Sequence, residues 1–267
     1  MTPRRGIAAA LAVLTLAAAA CAPSAPPVTL PPTPIAPAEA AAALEAAEGA
    51  VRTLRGLADV RLERAGQQER FREAAVLALP DKLRLETLQF GGASALILAA
   101  DGDRLAIYSL ATREFAHGRA SAGAVAALAG VAVEPRHLVR LLAGLPPLPF
   151  ESADPRSRVE PDGAEFVAES AAGPFWQRLR LDAGGGVAGG ELRTAAGPVF
   201  TFRFEDPRWV GGRAFPHRLH LEQPGAGWVD LAYRSVELNP PVEGGIFSLA
   251  IPAGDVRVVD LDAAHPR

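Results

Sequence analysis

Apolar and polar side chains alternate with a period of two over most of this chain. Val60 and Leu62 alternate with Asp59, Arg61 and Glu63, while Phe71, Leu77 and Leu79 share one parity opposite Arg70 and Arg72. Pro80-Asp81 breaks the run, after which Leu83 and Leu85 alternate with Lys82, Arg84 and Glu86. The pattern resumes later. Phe175, Leu179 and Leu181 alternate with Trp176, Arg178 and Arg180, and Phe200, Phe202 and Phe204 with Thr201, Arg203 and Glu205. Phe215, Leu219 and Leu221 alternate with Arg218, His220 and Glu222, and Val229, Leu231 and Tyr233 with Asp230 and Arg234. A period of two sends successive side chains to opposite faces, so each run predicts a strand with one apolar and one wetted face. Strands of that kind pair antiparallel. Asp101-Gly102, between apolar runs at 95–100 and 104–109, is a hairpin turn signal.

Three segments break the alternation. Residues 38–55 are Ala-rich, with Leu44, Val51 and Leu54 set among Glu39, Glu45, Glu48, Arg52 and Arg55, which predicts a helix with a narrow apolar stripe and solvated Glu45 and Glu48. Ser121 is placed to cap a second helix that stops at Gly130. Pro135 opens a third, in which Leu138, Leu141, Leu142 and Leu145 recur at helical spacing until Gly144 and the prolines at 146, 147 and 149 end it. Strands outnumber helices, and neither a βαβ rhythm nor a repeat is present. The expected class is mainly β (α+β): a curved antiparallel sheet with a few helices covering its concave apolar face.

The first residues read as an address. Met1-Thr2-Pro3-Arg4-Arg5 precedes an Ala- and Leu-rich run at 7–20, too short to span a bilayer, and small residues lead to Cys21. Ala18-Ala19-Ala20 before Cys21 resembles a bacterial lipobox, which implies a signal peptide over 1–20 and a diacylglyceryl, palmitate-type anchor on Cys21. Ala22 is not the Asp that retains lipoproteins in the inner membrane, so the resemblance implies the outer membrane, facing the periplasm. Residues 21–37 carry Pro23, Pro26, Pro27, Pro31, Pro32, Pro34 and Pro37, which favour an extended tether. One folded domain is expected over 38–267.

Composition narrows the function. The chain has 267 residues, 49% of them hydrophobic, and a formal net charge of -3, with Lys82 its one lysine. That excludes a disordered chain and argues against a nucleic-acid partner. A single cysteine excludes an internal disulfide framework. Gly184, Gly186 and Gly189 fit a dinucleotide fingerprint by spacing, but a strand-like stretch follows instead of the helix that would hold a pyrophosphate; a hairpin loop is expected. His217 and His220 point to opposite faces of a strand, His217 into the core and His220 into solvent. No nucleophile elbow and no metalloprotease motif occur. Asp101 and Asp103 are turn formers, and no metal, cofactor or catalytic residue is expected.

Leu54-Arg55-Gly56 entering a strand, Leu79-Pro80-Asp81-Lys82-Leu83-Arg84-Leu85, and Phe90-Gly91 before a hairpin occur in that order. Leu128-Ala129-Gly130, Pro135, and Leu141-Leu142-Ala143-Gly144-Leu145-Pro146 follow, and the chain closes with Leu238-Asn239-Pro240, Ile246-Phe247-Ser248-Leu249 and Ile251-Pro252. This order resembles the LolA/LolB-like lipoprotein-localisation family, LolB most, since LolB is itself a lipoprotein. The resemblance implies an unclosed β-barrel whose apolar hollow takes lipoprotein acyl chains, received from a periplasmic LolA-like carrier and inserted into the outer membrane. It implies a membrane-insertion loop at Leu88, Phe90 and Gly91. The hollow is expected to be built from Leu83, Leu85, Phe175, Leu179, Leu181, Phe200, Phe202, Phe204, Phe215, Leu219 and Leu221. A carrier of another periplasmic lipid and a non-transporting envelope scaffold are the alternative functions.

Overall fold

The computed structural model describes residues 35–88, 94–162 and 165–263. Helix α1 (Pro37–Glu48) leads into a meander of six strands, β1 (Thr53–Arg64), β2 (Gln67–Ala78), β3 (Lys82–Leu88), β4 (Ser94–Asp101), β5 (Arg104–Ser109) and β6 (Glu114–Arg119). Helices α2 (Ala122–Ala129) and α3 (Pro135–Leu142) follow. A second meander comprises β7 (Arg158–Asp162), β8 (Glu165–Ala172), β9 (Phe175–Leu181), β10 (Val187–Thr194), β11 (Gly197–Val210), β12 (Arg213–Gln223) and β13 (Gly227–Leu238). A 3-10 turn at Gly244–Phe247 and a short β14 (Arg257–Asp260) end the described chain.

The two meanders form one sheet because β1 pairs antiparallel with β13, from Leu54 opposite Leu238 to Arg64 opposite Gly227. The order is β14-β6-β5-β4-β3-β2-β1-β13-β12-β11-β10-β9-β8-β7. Every neighbouring pair is antiparallel except β14 with β6. The sheet curves, and its end strands β14 and β7 do not pair with each other, so it is an unclosed barrel. This is the expected class.

That order dictates where the helices go. β6 and β7 follow each other in the chain but lie near opposite edges of the sheet. The connection between them must cross the sheet, and the apolar parity of the strands makes one face the favourable side. Residues 120–157 therefore carry α2 and α3 over the concave face. Two buried polar anchors hold the crossing. Tyr233 Oη donates to the carbonyl of Leu142 at 2.8 Å. Gln177, fully buried on β9, accepts from Leu148 N at 2.9 Å and donates to Leu148 O at 2.9 Å and to Ser170 Oγ at 2.8 Å. Without Gln177 each stranded backbone group would cost ~1–3 kcal/mol.

The α2 ends match expectation: Ser121 Oγ accepts from Ala124 N, and Gly130 takes the left-handed conformation at φ 74°. A Cβ at Gly130 would lie 2.8 Å from Arg64 Cβ, so glycine also lets the helix settle on β1. The first helix is shorter than expected, ending at Glu48 rather than near residue 55. Asn239 is the reason. Its side chain accepts from Arg52 N at 2.8 Å and donates to Ala50 O at 3.0 Å, taking backbone groups that a longer helix would need. Val51 is buried in the turn and Leu54 within β1. Glu45 is exposed, as expected, whereas Glu48 is half-buried. Glu48 accepts from Arg140 on α3 at 2.7 Å, and Glu45 accepts from Ser152 N, because the crossing segment passes over this face of α1.

Candidate functional site

Between the sheet and the crossing helices lies a hollow of about 300 Å³, near the lower end for ligand pockets. Its floor is the inward parity of six strands: Val60 and Leu62 of β1, Phe71 and Glu73 of β2, Leu85 and Thr87 of β3, Leu96 and Leu98 of β4, Leu219 and Leu221 of β12, and Val229 and Leu231 of β13. Val125 and Ala129 of α2, Val131 and Val133 of the link, and Leu138 and Leu142 of α3 roof it. At the lip, Arg64 pairs with Glu69 at 3.0 Å and donates to the α2 carbonyl of Ala127 at 3.0 Å, tying the β1–β2 hairpin to the roof.

One charged group interrupts the floor. Glu73 is only 6% exposed and lies between Ala58 and Thr87 of the neighbouring strands. Thr87 Oγ1 donates to its Oε2 at 2.8 Å. Burial pushes the Glu73 carboxyl up to about 7; the Thr87 hydrogen bond opposes the rise and the charge of Glu86 adds to it. Glu86 is engaged on the outer side, accepting from Arg84 at 2.7 Å and from Ser94 at 2.7 Å.

A larger concavity, about 960 Å³, lies on the opposite, charged face, lined among others by Arg61, Arg70, Arg72, Arg203, Arg218, Asp59 and Asp230. Its chemistry suits water and ions, whereas the smaller inner hollow suits hydrocarbon. Among the described residues no group of three or more His, Cys, Asp and Glu is placed to hold a metal ion, and no helix is long and apolar enough to cross a membrane.

The expected hollow residues are divided by the structure. Leu85, Leu219 and Leu221 line the cavity. Leu83, Leu179, Leu181, Phe200, Phe202, Phe204 and Phe215 are buried on the same side of the sheet but belong to the packed core. Phe175 is half-buried, edge-on to His137 of α3 with ring centroids 5.0 Å apart. Leu88 ends β3 with the outward parity and borders the charged concavity. Cys21, Phe90 and Gly91 lie outside the described residues, as do the signal peptide and most of the tether. His217 is buried as expected, its Nδ1 3.2 Å from Phe215 O. His220 is not simply solvated; it contacts Asp230 Oδ1 at 2.6 Å and stacks on Trp228, because the outer face is itself a lattice of cross-strand pairs. Gly184 and Gly186 lie in the β9–β10 hairpin turn as expected, with Asp182 Oδ1 accepting from Gly184 N and Gly186 N, whereas Gly189 lies within β10, paired with Arg203 and Arg180. Glu73 is not among the expected site residues, although the sequence carries the signal: it shares the parity of Phe71 and Leu77.

No protein-family model and no curated protein sequence matches the chain. Solved structures do. A LolA-superfamily protein from Nitrosomonas europaea superposes with a TM-score of 0.51 at 13% identity, over 78% of this chain and 97% of that one. The fold is LolA-like. A DUF1329-family protein from Desulfovibrio piger superposes with a TM-score of 0.52 at 9% identity, over 81% of this chain and 98% of that one. At such identities the likeness is one of backbone architecture, and the LolA-like sheet here carries its apolar parity on the helix-covered side.

Glu73 makes stability depend on pH. Its folded pKa of about 7 lies above the ordinary 4.5, so between those values the folded chain holds a proton that the unfolded chain has lost. Stability is therefore highest below about pH 4.5, as far as this group is concerned, and falls as pH rises through 7, by about 3 kcal/mol in all. Urea unfolding of wild type and Glu73→Gln at pH 5 and pH 8 checks this. The variant is expected to gain stability relative to wild type at pH 8 and to lose most of that advantage at pH 5.

Proposed function

We propose that this protein is a lipid-anchored envelope carrier that holds the acyl chains of a lipoprotein in the hollow and inserts them into the outer membrane, as LolB does. The observation that carries this reading is the apolar hollow under α2 and α3 in a LolA-like sheet. Each methylene moved from water into such a space gains ~0.8 kcal/mol, so a short stretch of chain is enough to keep an amphiphile in transit. Delivery then needs only a bilayer that solvates the chain better; no catalytic group enters. Leu85, Leu219 and Leu221 contact the chain in this scheme, and the phenylalanine-rich core behind them sets the depth of the cavity. The cargo arrives from a periplasmic LolA-like carrier.

Mass spectrometry of organic extracts tests the cargo. The full chain carrying Cys21→Ser, purified without detergent, is expected to yield acyl lipid in near-stoichiometric amount. Ala129→Trp, which places an indole in the roof of the hollow, is expected to yield several-fold less with its melting temperature held within a few degrees. An empty wild-type hollow would favour a scaffold over any carrier.

Anchoring rests on Cys21. The Cys21→Ser chain is expected in the soluble periplasmic fraction, with wild type in the outer membrane; a variant that still sediments with membranes, intact, would place the anchor elsewhere.

Delivery rests on Phe90, which falls between β3 and β4 in the sequence. An uncharged aromatic enters a bilayer interface readily, whereas a carboxylate does not. Phe90→Glu is expected to bind cargo and melt like wild type while transferring it to liposomes at least ~10-fold more slowly. Normal transfer would remove the insertion role, and a collapsed melting temperature would assign Phe90 to the core.

A further inference from the structure

We propose that Glu73 and Thr87 form the polar recognition point of the hollow, and that the preferred occupant is an acyl chain bearing a hydrogen-bond donor, an amide N–H or a hydroxyl, next to the chain. This deepens the carrier reading and rests on it.

Three observations place the recognition point. The carboxylate lines the hollow while only 6% exposed, so it faces the occupant rather than bulk water. Its Oε2 accepts from Thr87 Oγ1, but its other oxygen accepts no hydrogen bond from any described residue. The register sets it centrally. On one side the floor continues through Val60 and Phe71 to Leu219 and Leu231, and on the other through Leu85 to Leu98. The other charged groups of the lining, Arg64 and Glu69, pair with each other at the lip, and the roof contributes only apolar side chains.

The energetics select the occupant. A plain hydrocarbon expels water from around Glu73 and leaves an acceptor unpaired in a dry space, which is costly for a neutral acid and more so for a carboxylate. A donor on the occupant removes that cost and adds a hydrogen bond to a charged or half-charged group, one of the stronger kinds. An anionic head placed at the same point would meet a like charge. The hollow therefore discriminates among amphiphiles of equal chain length by the group that joins chain to head.

N-methyldecanamide and methyl decanoate test this, since they match in length and shape and differ only in N–H against O at that junction. Titration calorimetry at pH 8 uses the full chain carrying Cys21→Ser, stripped of lipid. The amide is expected to bind at least ~10-fold more tightly than the ester, against the order of their own hydrophobicity. Glu73→Leu is expected to bring the two within about twofold by strengthening the ester and weakening the amide. Glu73→Gln, which keeps a carbonyl acceptor, is expected to retain part of the preference, and guards against a Leu variant that fails to fold. Equal binding of the two ligands to wild type, or an unchanged ratio in Glu73→Leu, overturns the role of Glu73 and leaves the carrier reading standing. If neither ligand binds wild type, both fall together.

Discussion

The antiparallel seam between β1 and β13 is the constraint on which the rest of the molecule depends. It joins the first meander to the last strand of the second, so the sheet grows outward from its middle in both directions. The strands that flank the helical connection are thereby driven to opposite flanks. A connection of that span can be accommodated only by lying across a face of the sheet, and the apolar face is the one where burial rewards it. Helices α2 and α3 are thus a roof by topology. Tyr233 and Gln177, hydrogen-bonded to the backbone at and after the end of α3, then fix where the roof rests.

The hollow follows from how the two halves of that apolar face are filled. Phe200, Phe202 and Phe215 on β11 and β12 are almost fully buried in one hydrophobic cluster with Leu179 and Leu181, and none of the five borders the hollow. Toward β1–β4, floor and roof are mostly Val, Leu and Ala, with Phe71 the one aromatic ring of the lining. The hollow lies on this aliphatic half of the face, under α2 and α3. Its floor and roof are apolar apart from Glu73 and Thr87, with the Arg64–Glu69 pair at the lip.

The outer face obeys a different rule. In one cross-strand row Arg203, His220, Asp230, Arg61 and Arg70 stand side by side on β11, β12, β13, β1 and β2. Asp230 is shared between His220 at 2.6 Å and Arg61 at 3.3 Å. Exposed pairs of this kind contribute at most ~1 kcal/mol each. Their larger effect is on register: a slip of one residue would turn this row of charges into the hollow, so the correct pairing is strongly selected. Glu73 is a carboxylate that the correct register itself delivers to the buried interior of the apolar side, inward of the Arg64–Glu69 pair at the lip.

What the sequence determined by itself was every property that repeats locally. Period-two alternation placed Phe202, Leu219 and Leu231 on one face and Arg203, His220 and Asp230 on the other, and Ser121, Gly130 and Pro135 marked helix ends, because side-chain direction and capping depend on residues a few positions apart. Its resemblance to a LolA-like carrier rested on that same ordered pattern of turns and apolar runs. The tertiary structure alone decided the rest. Asn239 ends α1 from 187 to 189 residues away, Arg140 claims Glu48 from another helix, and only the pairing of β1 with β13 makes neighbours of Val60 and Leu231. Which inward-facing residues border a cavity and which are packed shut depends on how far the roof stands from each point of the floor. That distance is set by contacts between segments far apart in the chain, and no local period encodes it.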